Sequence, residues 1–125
     1  MDENSIAREV VDSAYTVHSE LGPGLLESVY EMALCHELES RKLGFSRQHK
    51  IQIVYKDMLI TDAFRADILV EKKLIIELKS IEAVSPVHKK QLITYLKLAD
   101  CKIGLLINFG SHLIKDGITR VVNKL

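Results

Sequence analysis

The sequence contains no tryptophan, only two cysteines and two prolines, and aromatic residues fill just 6% of its 125 positions. Cys35 and Cys101 lie 66 positions apart with no CxxC pattern and no Cys/His clustering. That spacing excludes a disulfide scaffold and a structural zinc site, and two buried thiols are expected. Apolar runs such as Leu74–Ile76 and Leu105–Ile107 fall far short of the roughly 18 residues that cross a bilayer. Met1-Asp2-Glu3 does not open a signal peptide, so a soluble, cytoplasmic protein is expected. The five histidines show no metal-ligand spacing, and the scattered serines, histidines and aspartates outline no triad. Repeats, linkers and low-complexity segments are also lacking. With 47% apolar and 27% charged residues, the chain suits a single domain over residues 1–125 around one core.

Excess charge is missing too: 17 basic residues balance 17 acidic ones, which argues against a surface that is basic throughout. The balance hides a division. Residues 1–40 carry nine acids and one base, a net −8, whereas residues 41–125 carry sixteen bases and eight acids, a net +8. Such asymmetry points either to an anionic partner on the basic part or to two surfaces that attract each other within the fold.

Ile6, Val10, Ala14, Val17 and Leu21 recur at helical spacing from Asn4 to Leu21, with Asn4 or Ser5 as the expected N-cap. Gly22-Pro23-Gly24 ends that helix, and Leu26, Tyr30, Ala33, Leu34 and Leu38 mark a second one running to about Leu43. Beyond Gly44 the texture turns to alternation and β-branched residues, giving strands over Lys50–Tyr55, Phe64–Val70 and Leu74–Lys79. The short polar links Lys56-Asp57-Met58 and Glu71-Lys72-Lys73 allow only antiparallel neighbours, hence a β-meander. Ser85-Pro86 opens a third helix to Ala99, Ile103–Asn108 forms a further strand, and Ile118–Val122 adds an edge strand. The order α-α-β-β-β-α-β predicts an α/β (α+β) fold around one mixed sheet.

Chemistry concentrates in the second and third strands. Alternation along Leu74–Lys79 puts Glu77 and Lys79 on one face, and a hairpin symmetric about Lys72 sets opposite each other residues whose numbers sum to 144. Asp67 then faces Glu77, with Cβ atoms about 4.5–5.5 Å apart, and Arg65 faces Lys79. Two opposed carboxylates repel unless one is protonated or a cation lies between them, and Mg²⁺ fits because it takes carboxylate oxygens and keeps several waters. A solvated ladder of cross-strand ion pairs among Asp67, Glu77, Arg65 and Lys79 is the competing reading of the same residues.

Asp67, nine intervening residues, then Glu77-Leu78-Lys79 resembles the D…ExK core of the PD-(D/E)XK nuclease superfamily. Gly24-Leu25-Leu26-Glu27-Ser28-Val29-Tyr30 resembles the GxxExxY signature of one bacterial and archaeal family within it. The likeness extends over Gly22-Pro23-Gly24, Tyr55, Phe64–Asp67, Ile75–Lys79, Gln91–Leu96 and Leu106–Gly110, nearly the whole chain. It implies a mixed sheet flanked by helices and a phosphodiesterase site dependent on Mg²⁺ or Mn²⁺. By position, Asp67 and Glu77 would be the metal carboxylates, aided by the Leu78 carbonyl, with Lys79 the catalytic lysine and Glu27 an additional acid from an early helix. Glu27 also suits a plain capping role near the start of its helix, and Tyr30 suits packing. Gln91 and Tyr95, four apart, resemble a QxxxY element beside the metal; His88, three before Gln91, shares their face, and Lys89 can meet phosphate. An ordinary polar stripe is the alternative for that helix.

The function expected is therefore hydrolysis of a nucleic-acid phosphodiester, DNA being the expected substrate, with Arg65, His88, Lys89, Gln91 and Tyr95 as contacts to it. Lys79 is expected to orient the attacking water and neutralise charge developing on phosphate. A non-catalytic nucleic-acid-binding or protein-interaction module on the same fold is the alternative. A chain this small leaves little surface for sequence readout, so a homodimer or a protein partner is expected to supply it.

Overall fold

A computed structural model describes residues 1–125 and contains nine elements. They are α1 (Glu3–Leu21), α2 (Glu27–Ser40), β1 (Phe45–Tyr55), β2 (Met58–Val70), β3 (Leu74–Lys79), α3 (Pro86–Ala99), β4 (Ile103–Asn108), a 3₁₀ turn (Ile114–Asp116) and β5 (Ile118–Val122). The strands form one mixed sheet in the order β1-β2-β3-β4-β5. The three short-linked neighbours pair antiparallel, and β3 and β4, joined through α3, pair parallel. Parallel neighbours need a crossover of this length, so the two connection classes dictate the sheet.

Helix α1 is capped by Asp2, whose carboxylate accepts from the Ser5 N–H at 2.8 Å, in place of the expected Asn4 or Ser5. The cap falls one turn earlier because Glu3 and Asn4 are already helical. Gly22 and Gly24 take positive φ (70° and 100°), the turn that separates α1 from α2. Helix α2 stops at Ser40, short of Leu43, because Lys42 adopts a left-handed φ of 61°. Strands β1 and β2 begin earlier than their alternating patterns indicate. The early part of β1, Ser46–His49, pairs with Leu69–Ala66, and the early part of β2, Met58–Ile60, pairs with Tyr55–Ile53, so the two strands form one long ribbon.

Two apolar layers sandwich the sheet. Ile6, Val10 and Ala14 of α1, with Tyr30, Leu34 and Leu38 of α2, pack on Ile68, Val70, Leu74, Ile76 and Leu78. On the opposite face, Leu92 and Leu96 of α3 pack on Ile75, Leu106 and Val121. Both cysteines are buried and free. Tyr30 lies wholly in the larger core, its ring stacked on Phe109 with centroids 4.5 Å apart. Its hydroxyl donates to the Gly22 carbonyl and accepts from the Leu25 N–H, so the GxxExxY tyrosine pins the Gly22–Leu25 turn onto the core.

Candidate active site

The β2–β3 register is the one a turn about Lys72 predicts: Val70 pairs Leu74, Leu69 pairs Ile75 and Ile68 pairs Ile76. The ladder stops there. At the next level the backbone donors are met by side chains of the facing strand. The Leu78 N–H donates to Asp67 Oδ2 at 2.8 Å, and the Asp67 N–H donates to Glu77 Oε1 at 3.3 Å. Each carboxylate thus fills a place where a strand carbonyl would otherwise sit, which locks the two acids together at a fork between β2 and β3. The expected opposition of Arg65 and Lys79 does not occur, because the strands no longer pair beyond the fork; Arg65 pairs Lys50 on β1 and Lys79 pairs Asn108 on β4.

Burial pushes the Glu77 carboxyl up to about 8, and the neighbouring Asp67 charge adds to the shift; the Asp67 N–H and the Lys79 ammonium oppose it. Asp67 is also raised, first by burial and then by Glu31, while the Leu78 N–H, Gln48 and Lys79 pull it down. Two acids that both resist ionisation in close contact form a site that takes up positive charge.

The donor set suits a hard divalent ion. Each acid spends one oxygen on a backbone N–H and retains another. The Lys79 carbonyl accepts from the Phe109 N–H of β4 at 2.8 Å. Successive strand residues point to opposite edges, so the Leu78 carbonyl faces β2 together with its N–H. Two carboxylate oxygens and a carbonyl fit an ion that keeps several waters. No three His, Cys, Asp or Glu side chains gather into a larger metal cage. These residues lie at the C-terminal end of β3. The loop that follows is fastened by Asn108, which accepts from the Ile81 and Gly110 N–H groups and donates to the Ile81 carbonyl.

From α3, Tyr95 stacks on Phe64 of β2, centroids 3.9 Å apart, and burial followed by the Glu77 and Asp67 charges raises its hydroxyl. Gln91 opposes that rise, and Tyr95 lies close enough to the carboxylates to feel both charges. His88 is engaged elsewhere: its Nδ1 accepts from the Ser85 N–H in a capping box. Lys89 is exposed and lines a separate polar cavity of about 540 Å³ with Ser85, Ser111 and Asp116. Arg65 is exposed, 4.0 Å from Asp62.

Glu27 is exposed as the first residue of α2, and its charge is not among those acting on Asp67. The helix acid that acts on Asp67 is Glu31, one turn further along and only 6% exposed. Glu31 accepts from Arg47 at 2.9 and 3.1 Å and from the Gln48 amide at 2.7 Å. A signal for it exists in the sequence. Glu31 precedes Leu34, Cys35 and Leu38 by three, four and seven residues, which places an acid on the apolar stripe. Gln48 carries no comparable signal.

A family model described as the PD-(D/E)XK nuclease superfamily matches residues 4–121. No curated protein and no solved structure matches the chain. The matched span includes β1 to β4, all of β5 but Val122, the fork acids and all but the first residue of α1. With a five-stranded mixed sheet between helices and the D…ExK residues at its fork, the chain belongs to the PD-(D/E)XK nuclease superfamily.

Proposed function

We propose that this protein hydrolyses phosphodiester bonds of nucleic acid, DNA in the first instance, with Mg²⁺ or Mn²⁺ held by Asp67, Glu77 and the Leu78 carbonyl. The observation that carries the reading is the pair of partly buried acids forced into contact, with Lys79 beside them. Its GxxExxY segment, ending in the buried Tyr30, supports membership of the family of that name. Bound at the fork, the ion would supply polarisation of the phosphate and a water of lowered pKa. Lys79 lies on the Glu77 face of β3 and acts on both acids. Its ammonium orients the attacking water and offsets charge on the phosphate oxygens as it develops. Tyr95 and Gln91 wall the site on the α3 side, and Arg65 and Lys89 are exposed bases that can meet the backbone phosphates.

The test is cleavage of labelled single- and double-stranded DNA in Mg²⁺, Mn²⁺ or Ca²⁺ by the wild type, Asp67→Asn and Lys79→Ala. We expect cleavage in Mg²⁺ and Mn²⁺ and binding with little cleavage in Ca²⁺, whose looser coordination does not fix in-line geometry. Asp67→Asn should abolish cleavage, and Lys79→Ala should slow it by about 10²-fold or more. Binding without cleavage in every metal would instead assign a non-catalytic nucleic-acid-binding module.

A further inference from the structure

Gln48 takes a left-handed φ of 47° inside a strand. The other non-glycine residues with positive φ, such as Lys56, Glu71, Lys72 and Asp100, lie in turns, at helix ends or past the last strand. For an L-residue with a full side chain this costs roughly 1 kcal/mol, and it persists where the surroundings compel it. The register shows where the distortion falls. Arg47 pairs Ile68 and His49 pairs Ala66, so Gln48 stands level with Asp67.

In a regular strand Arg47 and Gln48 would point to opposite faces of the sheet. The left-handed turn lets both reach one acid, and both donate to Glu31. Alternation in β2 breaks at the same level: Ile68 packs in the larger core and Ala66, two residues away, in the smaller one. The distortion thus spans both strands at the residue that forms the fork. Level with Asp67, the Gln48 amide also pulls the Asp67 carboxyl back down against the effect of burial.

We propose that Glu31 and Gln48 are positioning residues: Glu31, buried on α2, draws Gln48 out of the regular strand so that its amide steadies Asp67 for a divalent ion. The proposal rests on the metal-site reading given above and adds residues that touch neither ion nor substrate. Partners of this kind typically hold about 10–100-fold of metal affinity. An amide suits the place. It donates to Glu31 and stands level with Asp67 without adding a third charge, whereas a lysine would compete with the cation.

Substituting Gln48 separates positioning from folding. Gln48→Asn and Gln48→Gly both accept a left-handed φ more readily than glutamine, which offsets part of the lost bond to Glu31, so both should stay folded with a metal-free midpoint within a few degrees of wild type. Neither retains an amide of the same reach. We expect both, and Glu31→Ala, to bind Mn²⁺ about tenfold or more weakly than wild type by calorimetry. Arg47→Ala, which leaves the Gln48–Glu31 bond in place, should stay within about threefold of wild type. Wild-type-like Mn²⁺ affinity in folded Gln48→Asn and Gln48→Gly would overturn the positioning role while leaving the metal site standing. A wild type that binds no Mn²⁺ would overturn both.

Discussion

Asp67 serves both the fold and the charge of the fork, and two substitutions separate these roles. Asparagine keeps an oxygen for the Leu78 N–H and removes the charge beside Glu77. Asp67→Asn should therefore raise the metal-free midpoint by a few degrees, the equivalent of up to about 1 kcal/mol. Alanine removes the charge but strands the N–H of the buried Leu78, a cost of about 1–3 kcal/mol, so Asp67→Ala should melt at or below the wild type. Glu77 adds a pH signature. Its carboxyl rises from an ordinary 4.5 to about 8 in the fold, so the folded chain binds more protons than the unfolded one between those values. Metal-free stability is then greatest below pH 4.5 as far as Glu77 is concerned, and is lost as pH climbs to 8. Melts in EDTA across that window check the sign; a rising midpoint would contradict it. The β2–β3 register was readable because a period of two and a short turn leave one pairing that buries both apolar sets; Asp67 and Glu77 lie just past its last pair and meet through backbone N–H groups instead of as a ladder pair. Glu31 was obscured because the GxxExxY pattern draws attention to Glu27, and the left-handed Gln48 leaves no mark on composition or spacing.

At the scale of elements, β3, α3, β4 and β5 coincide with their sequence patterns, since each is bounded by a cap, a turn or a change of period. The β1–β2 ribbon was legible only in part. Residues such as Val54, Tyr55, Met58 and Leu59 are exposed, so no buried face imposes alternation on them. The α1–α2 turn depends on a single side chain. Tyr30→Phe keeps the stack on Phe109 and removes both hydroxyl contacts to the Gly22–Leu25 turn. A loss of about 1–2 kcal/mol is expected, with the midpoint shift caused by Mn²⁺ unchanged. A normal midpoint with no Mn²⁺ response would instead make Tyr30 part of the site.

Across the whole molecule, connection length dictates sheet order and direction, which is why the architecture could be read before any side chain was placed. Charge is divided along the chain: the acids of α1 and α2 lie on one side of the sheet, and the exposed Lys89 and Lys90 lie on α3 across it. Arg65→Ala and Lys89→Ala should each weaken Ca²⁺-supported DNA binding severalfold and lower the slope of log affinity against log salt by about one. Unchanged slopes would place the nucleic acid elsewhere. The account turns on whether the β2–β3 fork takes a divalent ion. The most direct test is the thermal midpoint of wild type and Asp67→Asn in EDTA and in millimolar Mn²⁺ at pH 8, with no substrate required. The account predicts a midpoint several degrees higher in Mn²⁺ for the wild type and no response in Asp67→Asn. Equal midpoints for the wild type in EDTA and Mn²⁺, or equal shifts in both proteins, would contradict it.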